Sequence, residues 1–329
     1  MKALVYTAPN EVVYRDEPDA AHALGEVLIR VEAVGICGSD MHAYHGRDPR
    51  RNPPLILGHE LAGTIVEGPG AGRRVTVNPL ITCGACEYCR QGRDNLCAKR
   101  TMIGMTRPGG FAEFVSTAAA SVIDLPPGME ARHAALTEPA ATALHAIHLA
   151  ARALARPLAE GRVLVLGGGA IGMLATLLLE HQGVRDVSVG EVNALRRRSL
   201  AQATRARVYD PSTTTPDANA FDLVVDAVGA AATRNAALAA VKPGGGVMHV
   251  GLADWASEID MRKLTLAEIT LIGTYTYTTT DLRATARALH DGAFGDLAWV
   301  EERALADGAA AFRDLHEGRA GAAKIVLRP

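Results

Sequence analysis

The sequence has no surplus of positive charge: 34 Lys and Arg stand against 36 Asp and Glu, for a formal net charge of −2. Without a basic excess there is no electrostatic footprint for nucleic acid, and that partner is excluded. The chain also lacks any apolar run near the ~18 residues that a membrane-crossing helix needs, so no membrane partner is expected. Its opening residues, MKALVYTAPNEVVY, show neither the apolar core nor the cleavage site of a secretory signal. Internal repeats and low-complexity segments are missing as well. Cysteine is scarce, with five in the chain. These absences point to the cytoplasm, where thiols stay reduced and clustered cysteines serve metal rather than disulfides.

What remains is an ordinary globular composition, 48% hydrophobic and 21% charged, over 329 residues. That length allows two domains with large cores. Four of the five cysteines, Cys83, Cys86, Cys89 and Cys97, fall within the fifteen-residue run CGACEYCRQGRDNLC. The spacing C-x2-C-x2-C-x7-C can surround one Zn²⁺ with four thiolates and leave no open position, so the site is structural. An iron–sulfur reading fits less well. The bacterial ferredoxin spacing ends C-x3-C-P, whereas here the last gap is seven residues and Ala98 follows. Cys37 is left over and needs a separate explanation.

The first 135 residues read as short strands and turns. EVLIRVEAVG (26–35), HELAGTIVEG (59–68) and RRVTVNP (73–79) alternate apolar with polar residues, and Gly and Pro punctuate them. EPAATALHAIHLAARALA, from Glu138, reads as a long Ala-rich helix with Pro139 in its first turn, where a missing N–H costs nothing. Strands then alternate with helices: RVLVL, VSVGE (187–191), FDLVVDAVG (221–229), GGGVMHVGL (244–252) and ITLIGTY (269–275). That order predicts a doubly wound parallel sheet. The tail, 276–329, carries two helical segments and ends in the apolar strand KIVL.

Gly167-Gly168-Gly169-Ala170-Ile171-Gly172 is a G-x-G-x-x-G turn. It follows a strand and opens a helix, the context that gives the motif meaning. Its glycines allow close approach to a pyrophosphate, and the helix N-terminus supplies N–H groups and partial positive charge. Glu191 lies nineteen residues past Gly172, at the end of the next strand. An acid there accepts from both ribose hydroxyls and repels a 2′-phosphate, favouring NAD. NADP stays open, because Arg196, Arg197 and Arg198 follow closely, although a solvated helix face is the common fate of such a run.

Cys37 begins the segment Cys37-Gly38-Ser39-Asp40-Met41-His42, and Gly58-His59-Glu60 follows. Thiolate, imidazole and carboxylate are the ligand types of a catalytic zinc with one open position. Glu138 is a further carboxylate candidate from a distant part of the chain.

Together these residues resemble the zinc-dependent medium-chain dehydrogenase/reductase superfamily of the alcohol dehydrogenase type, and within it the polyol (sorbitol-like) and threonine dehydrogenase branch. GICGSD (35–40), GHELAG (58–63), the four-cysteine loop, GGFAEF (109–114), TEPAATALHA (137–146), GGGAIG (167–172) and KPGGGVMHVG (242–251) carry the resemblance in the family's order. It implies an α/β protein made of a GroES-like β-rich catalytic domain (1–145, with the zinc lobe at about 81–105), a Rossmann domain (146–275) and a C-terminal segment (276–329) that returns to the catalytic domain. By position, Cys37 and His59 are catalytic-zinc ligands, and the remaining place goes to Glu60 or Glu138. Asp40 matches the acid that orients the imidazole of His59. Ser39 matches the hydroxyl that takes the substrate proton, and His42 the outer relay group. Val250 and Leu252, flanking Gly251 at a strand end, are candidates for holding the nicotinamide amide through backbone groups. Two departures stand out: the segment EGPGAGRRV (67–75) is short and has Arg73 where aspartate is usual, and the whole chain is short for the family.

The resemblance implies reversible oxidation of a secondary alcohol, a polyol or sugar alcohol, to the ketone, with zinc and NAD as cofactors and a homodimer or homotetramer as the assembly. A threonine-type or polyol-phosphate dehydrogenase is the alternative within the enzymes. Outside them, the alternative is a non-catalytic nucleotide-binding protein that keeps only the structural zinc. Arg47, Arg50 and Arg51, in HGRDPRRNPP (45–54), could meet a substrate phosphate or carboxylate; a solvated loop is their expected place.

Overall fold

Alternating β-branched and polar residues in the first third of the chain form a mixed sheet, largely antiparallel, in the computed structural model, which describes residues 1–329. Its strand order is Val122–Asp124, Arg74–Val77, Glu60–Glu67, Glu26–Gly35, Lys324–Arg328 and Val300–Ala304, and Phe114–Ala118 also pairs with Glu26–Gly35. The C-terminal strand thus lies beside the strand that leads to Cys37, with Val326 opposite Gly35. The tail contributes two strands to this sheet rather than one. VEERA, Val300–Ala304, is too charged to stand out as a strand by sequence, yet it pairs parallel with Lys324–Arg328.

The second sheet is wholly parallel. Its order is Arg207–Tyr209, Asp186–Gly190, Arg162–Leu166, Phe221–Asp226, Val241–His249 and Thr270–Gly273. Counted from its first strand this is 3-2-1-4-5-6, the doubly wound dinucleotide-binding order, and ligands bind such sheets where the strand order reverses. Strand Phe221–Asp226 is buried at every position, as a sheet covered on both faces requires.

Helix Thr137–Ala153 joins the two sheets. Pro139 sits in its first turn, and Ala140, Ala143, Leu144, Ile147 and Ala150 bury one face in the same apolar cluster as helix Ala170–His181 and the parallel sheet. Its alanines leave room for that second helix to pack closely. The catalytic sheet has its own core, which includes Phe312, Ile325 and Leu327 from the tail. No helix is long and apolar enough to cross a membrane.

Glu26 anchors the start of strand Glu26–Gly35. Its carboxylate accepts from Ser116 Oγ at 2.6 Å, Arg107 Nη2 at 2.7 Å and the Ala23 N–H at 3.1 Å. The Ser116 hydrogen bond, with help from Arg107 and Ala23, lowers its pKa to about 2, against the opposing effect of burial. A depressed carboxylate stabilises the fold above its ordinary pKa and loses that contribution as pH falls towards the depressed value. Glu26→Gln should therefore cost of the order of 1 kcal/mol at neutral pH. In thermal melts, the gap to the parent protein should close as the pH drops from about 4.5 towards 2. A gap that stays constant across that range would show that Glu26 does not act through its charge.

Candidate active site

Strand register assembles the site. Gly35 lies opposite Glu60 on one side and Val326 on the other. Three strands therefore bring their ends to the start of the loop carrying Cys37. A Cβ on residue 35 would collide with Glu60 Oε2, so only glycine leaves room for that carboxylate. Lys324, at the start of the last strand, reaches the same point. Its Nζ donates to Glu60 Oε1 at 2.7 Å, Glu60 Oε2 at 2.6 Å and the Ile36 carbonyl at 2.8 Å, all buried.

Cys37 precedes the short helix Gly38–Tyr44, and Asp40 Oδ2 accepts its N–H at 3.0 Å. The other Asp40 oxygen faces His59 Nδ1 at 3.4 Å. This carboxylate lies on the Nδ1 side of the ring, and Nε2 points away from it, towards Ser39 Oγ at 3.4 Å. Cys37, His59 and Glu60 offer ligand atoms that all lie within 4.8 Å of one another. Glu138 is not within that set; it lies in the first turn of the linking helix, buried, and accepts from Tyr277 Oη at 2.8 Å.

The donor set fits zinc. Cys37, Asp40, Glu60 and Glu138 are four groups of acidic character around one imidazole and one ammonium. The electrostatics register that imbalance. Burial and the charge of Glu60 push Glu138 up to about 7. Burial disfavours the charged forms of His59 and Lys324, yet the surrounding anions raise both above their ordinary values. A divalent cation between thiolate, imidazole and carboxylate supplies the missing positive charge. The two carboxyls are not equivalent: Glu60 lies against the Lys324 ammonium, whereas Glu138 accepts from the Tyr277 phenol.

The second cluster, Cys83, Cys86, Cys89 and Cys97, also lies within 4.8 Å in all its pairings. Cys86 and Cys89 sulfurs are 3.5 Å apart and Cys83 and Cys89 sulfurs 3.9 Å. A tetrahedron with Zn–S bonds of about 2.3 Å has edges of about 3.8 Å, so the thiols are spaced for that ion. They are too far apart for disulfides.

At the nucleotide turn, Glu191 Oε2 accepts the Gly168 N–H at 2.7 Å and Oε1 accepts the Asn193 N–H at 2.7 Å. The acid thus shapes the turn. Gly167 has φ +97°, and a Cβ on Gly172 would collide with the Gly167 carbonyl, so the turn needs glycine at both ends. Gly169 precedes helix Ala170–His181, which Ala170 and Ile171 begin. Arg196 is half-buried in the first turn of helix Ala194–Ala203. Arg197 donates to the Glu191 and Val192 carbonyls and pairs with Asp210, so it is not merely a solvated face. The Val250 and Gly251 N–H groups both donate to the Asp226 carbonyl, which places Val250 and Leu252 at the strand ends; the Leu252 side chain is exposed.

Two features differ from the sequence expectation. Arg51 is not on a solvated loop. Its side chain is buried; Nη1 donates to Asp48 Oδ2 at 2.6 Å and Nη2 to Ser39 Oγ at 3.2 Å. His42 lies three residues beyond Ser39 on one helix, but its ring makes no hydrogen bond to Ser39 or to any other group in the chain. Lys324 and Tyr277 were not singled out from the sequence. A Lys in an apolar C-terminal strand was the available signal for the first; nothing local marked the second.

The alcohol dehydrogenase GroES-like domain matches residues 23–127, and the zinc-binding dehydrogenase domain matches residues 170–291. The chain is 32% identical over 308 residues to L-galactonate-5-dehydrogenase of Escherichia coli (strain K12), covering 89% of this chain and 88% of that protein. It is 31% identical over 294 residues to L-threonine 3-dehydrogenase of Pectobacterium carotovorum subsp. carotovorum (strain PC1), covering 84% of each. A zinc-binding dehydrogenase from Sinorhizobium meliloti 1021, solved bound to NADP, superposes with a TM-score of 0.87 at 29% identity, covering 100% of this chain and 99% of that one.

Purified protein should carry about two zinc ions per chain, one in a closed site and one in an open site. By elemental analysis, His59→Ala should hold about one. Cys97→Ser should also lose one, but with a clear drop in melting temperature, because a structural ion contributes to folding. Two ions retained in His59→Ala would contradict the open site. Lys324→Met should cost about 3–5 kcal/mol in denaturant unfolding, since it leaves the Glu60 charge buried and unpaired. Adding Glu60→Gln to that variant should recover part of the loss.

Proposed function

This chain belongs to the zinc-binding, medium-chain alcohol dehydrogenase family, and from that membership we propose that it oxidises a secondary hydroxyl of a polyol to the ketone, with NAD as hydride acceptor. The observation that carries the reading is the meeting of Cys37, His59 and Glu60 within 4.8 Å, with Ser39 Oγ 3.4 Å from the imidazole. A nucleotide-binding module would need none of these. Relatives named for L-galactonate and L-threonine support hydroxylated small molecules as the substrate class.

Cys37, His59 and either Glu60 or Glu138 would hold the catalytic Zn²⁺, which when bound supplies Lewis acidity that lowers the pKa of a coordinated hydroxyl. Ser39 takes the substrate proton. His42 is next in line: it lies on the same helix face, i to i+3. Burial lowers its pKa, so it is neutral near pH 7 and able to accept. Such a positioned relay is worth about 10²–10⁴ in rate. Asp40 faces the His59 ring, and Lys324 donates to both Glu60 oxygens. The turn from Gly167 to Gly172 would take the NAD pyrophosphate and Glu191 the adenosine ribose, where its charge disfavours a 2′-phosphate. Hydride transfer needs the nicotinamide at the metal centre, which is why the two sites come from different sheets.

A panel of polyols, polyol phosphates, sugar acids and β-hydroxy amino acids, followed by NADH and NADPH absorbance, tests the reading. Turnover is expected with at least one free polyol, faster with NAD. It should vanish in Cys37→Ala and His59→Ala while NADH still binds. Turnover that survives in either variant would refute the metal-centred reaction. Activity confined to phosphates or amino acids would reassign the substrate.

A further inference from the structure

Arg51 is the unusual charge in this molecule. A guanidinium is rarely buried without partners, because its charge must be compensated and its fork of donors filled. Each nitrogen of Arg51 has a partner. Nε donates to the Gly104 carbonyl at 3.1 Å, Nη1 to Asp48 Oδ2 at 2.6 Å and Nη2 to Ser39 Oγ at 3.2 Å. Asp48 is itself buried. Arg50 supplies its other contacts: Arg50 Nε donates to Oδ1 at 2.8 Å and Nη2 to Oδ2 at 3.0 Å. Burial pushes the Asp48 carboxyl up, but the Arg50 hydrogen bonds and the charges of both arginines bring it down to about 2. Two guanidinium groups share one carboxylate, and the excess positive charge lies one hydrogen bond from Ser39.

An arginine can donate but cannot accept. With one Ser39 lone pair occupied by Arg51, the hydroxyl keeps one lone pair to receive a proton and one hydrogen to pass on. The nearby cation also favours the oxygen while it carries excess negative charge, and hydrogen bonds in such a chain strengthen one another. We propose that Arg51 is a positioning residue for the reaction: it fixes and polarises Ser39 so that the hydroxyl takes the substrate proton on the face towards His59 and releases its own hydrogen towards His42. The proton balance is complete. The alcohol gives one proton to Ser39, Ser39 releases its own to solvent on the side of His42, and the hydride leaves to NAD⁺. The inference rests on the assignment of Ser39 to the reacting oxygen.

Steady-state kinetics of the zinc-loaded enzyme test it, on Arg51→Lys and Arg51→Met in both the parent and Ser39→Ala backgrounds. Arg51→Lys keeps a cation opposite Asp48 and protects the fold, but a point charge cannot reproduce the three-way fork. In the parent background, each variant should lower kcat by roughly 10- to 100-fold, the size of one charge-assisted hydrogen bond. KM for NAD, NADH affinity and zinc content should not change. In Ser39→Ala, the same substitutions should have no further effect, because the interaction they remove is already gone. An equal loss in both backgrounds overturns the inference and gives Arg51 a structural role. A rise in substrate KM confined to carboxylate- or phosphate-bearing alcohols, in both backgrounds, overturns it in favour of direct substrate binding. Full activity in the Arg51 variants beside a slow Ser39→Ala enzyme overturns it and leaves the role of Ser39 standing. Full activity in Ser39→Ala alone overturns both.

Discussion

A buried surplus of negative charge governs this molecule. Cys37, Asp40, Glu60 and Glu138 gather where three strands and a helix end, with Lys324 and His59 among them and Arg51 behind Ser39. Burying even one unpaired carboxylate is costly. A fold that concentrates four acidic groups needs a compensating cation, and a thiolate–imidazole–carboxylate set selects zinc. The rest of the first sheet can be understood as what holds those groups together. Gly35 leaves space for Glu60, Lys324 crosses from the last strand, and Asp40 closes the helix on Cys37 while orienting His59.

The four-cysteine lobe acts on the same centre from a distance. Asp94 and Asn95, within its loop, bind the segment that leaves the parallel sheet. Asn95 Nδ2 donates to the Tyr275 carbonyl at 2.8 Å, and Asp94 accepts from both the backbone and the hydroxyl of Thr279. Between those anchors, Tyr277 reaches Glu138. The lobe thereby fixes the chain that presents a phenol to the Glu138 carboxyl.

The architecture was legible because its signals are local. The turn Gly167–Gly172 was flanked by a strand and a helix in the sequence itself, and the alternation of strands with helices after Glu138 predicted the parallel sheet. The motifs grouped Cys37, His59 and Glu60, and the fold brings them together. What could not be read is what depends on register between distant strands. Lys324 is 264 residues from Glu60, and Tyr277 is 139 from Glu138. Nothing near either residue in sequence announces its partner. Arg51 misled for a different reason: in a run of arginines beside Pro and Asp it looks solvated, and only burial with Asp48 and Gly104 turns it towards Ser39. Val300–Ala304 escaped notice because a strand at a sheet edge need not be apolar.

The most direct test of the account is an anomalous difference map collected on either side of the zinc absorption edge from crystals of the untreated protein. The account predicts two peaks per chain. One lies among Cys83, Cys86, Cys89 and Cys97, and the other between Cys37 Sγ and the His59 ring, within bonding distance of a carboxylate of Glu60 or Glu138. A map with the cysteine-lobe peak alone, and with Lys324 and His59 left to balance the acidic groups unaided, would contradict it.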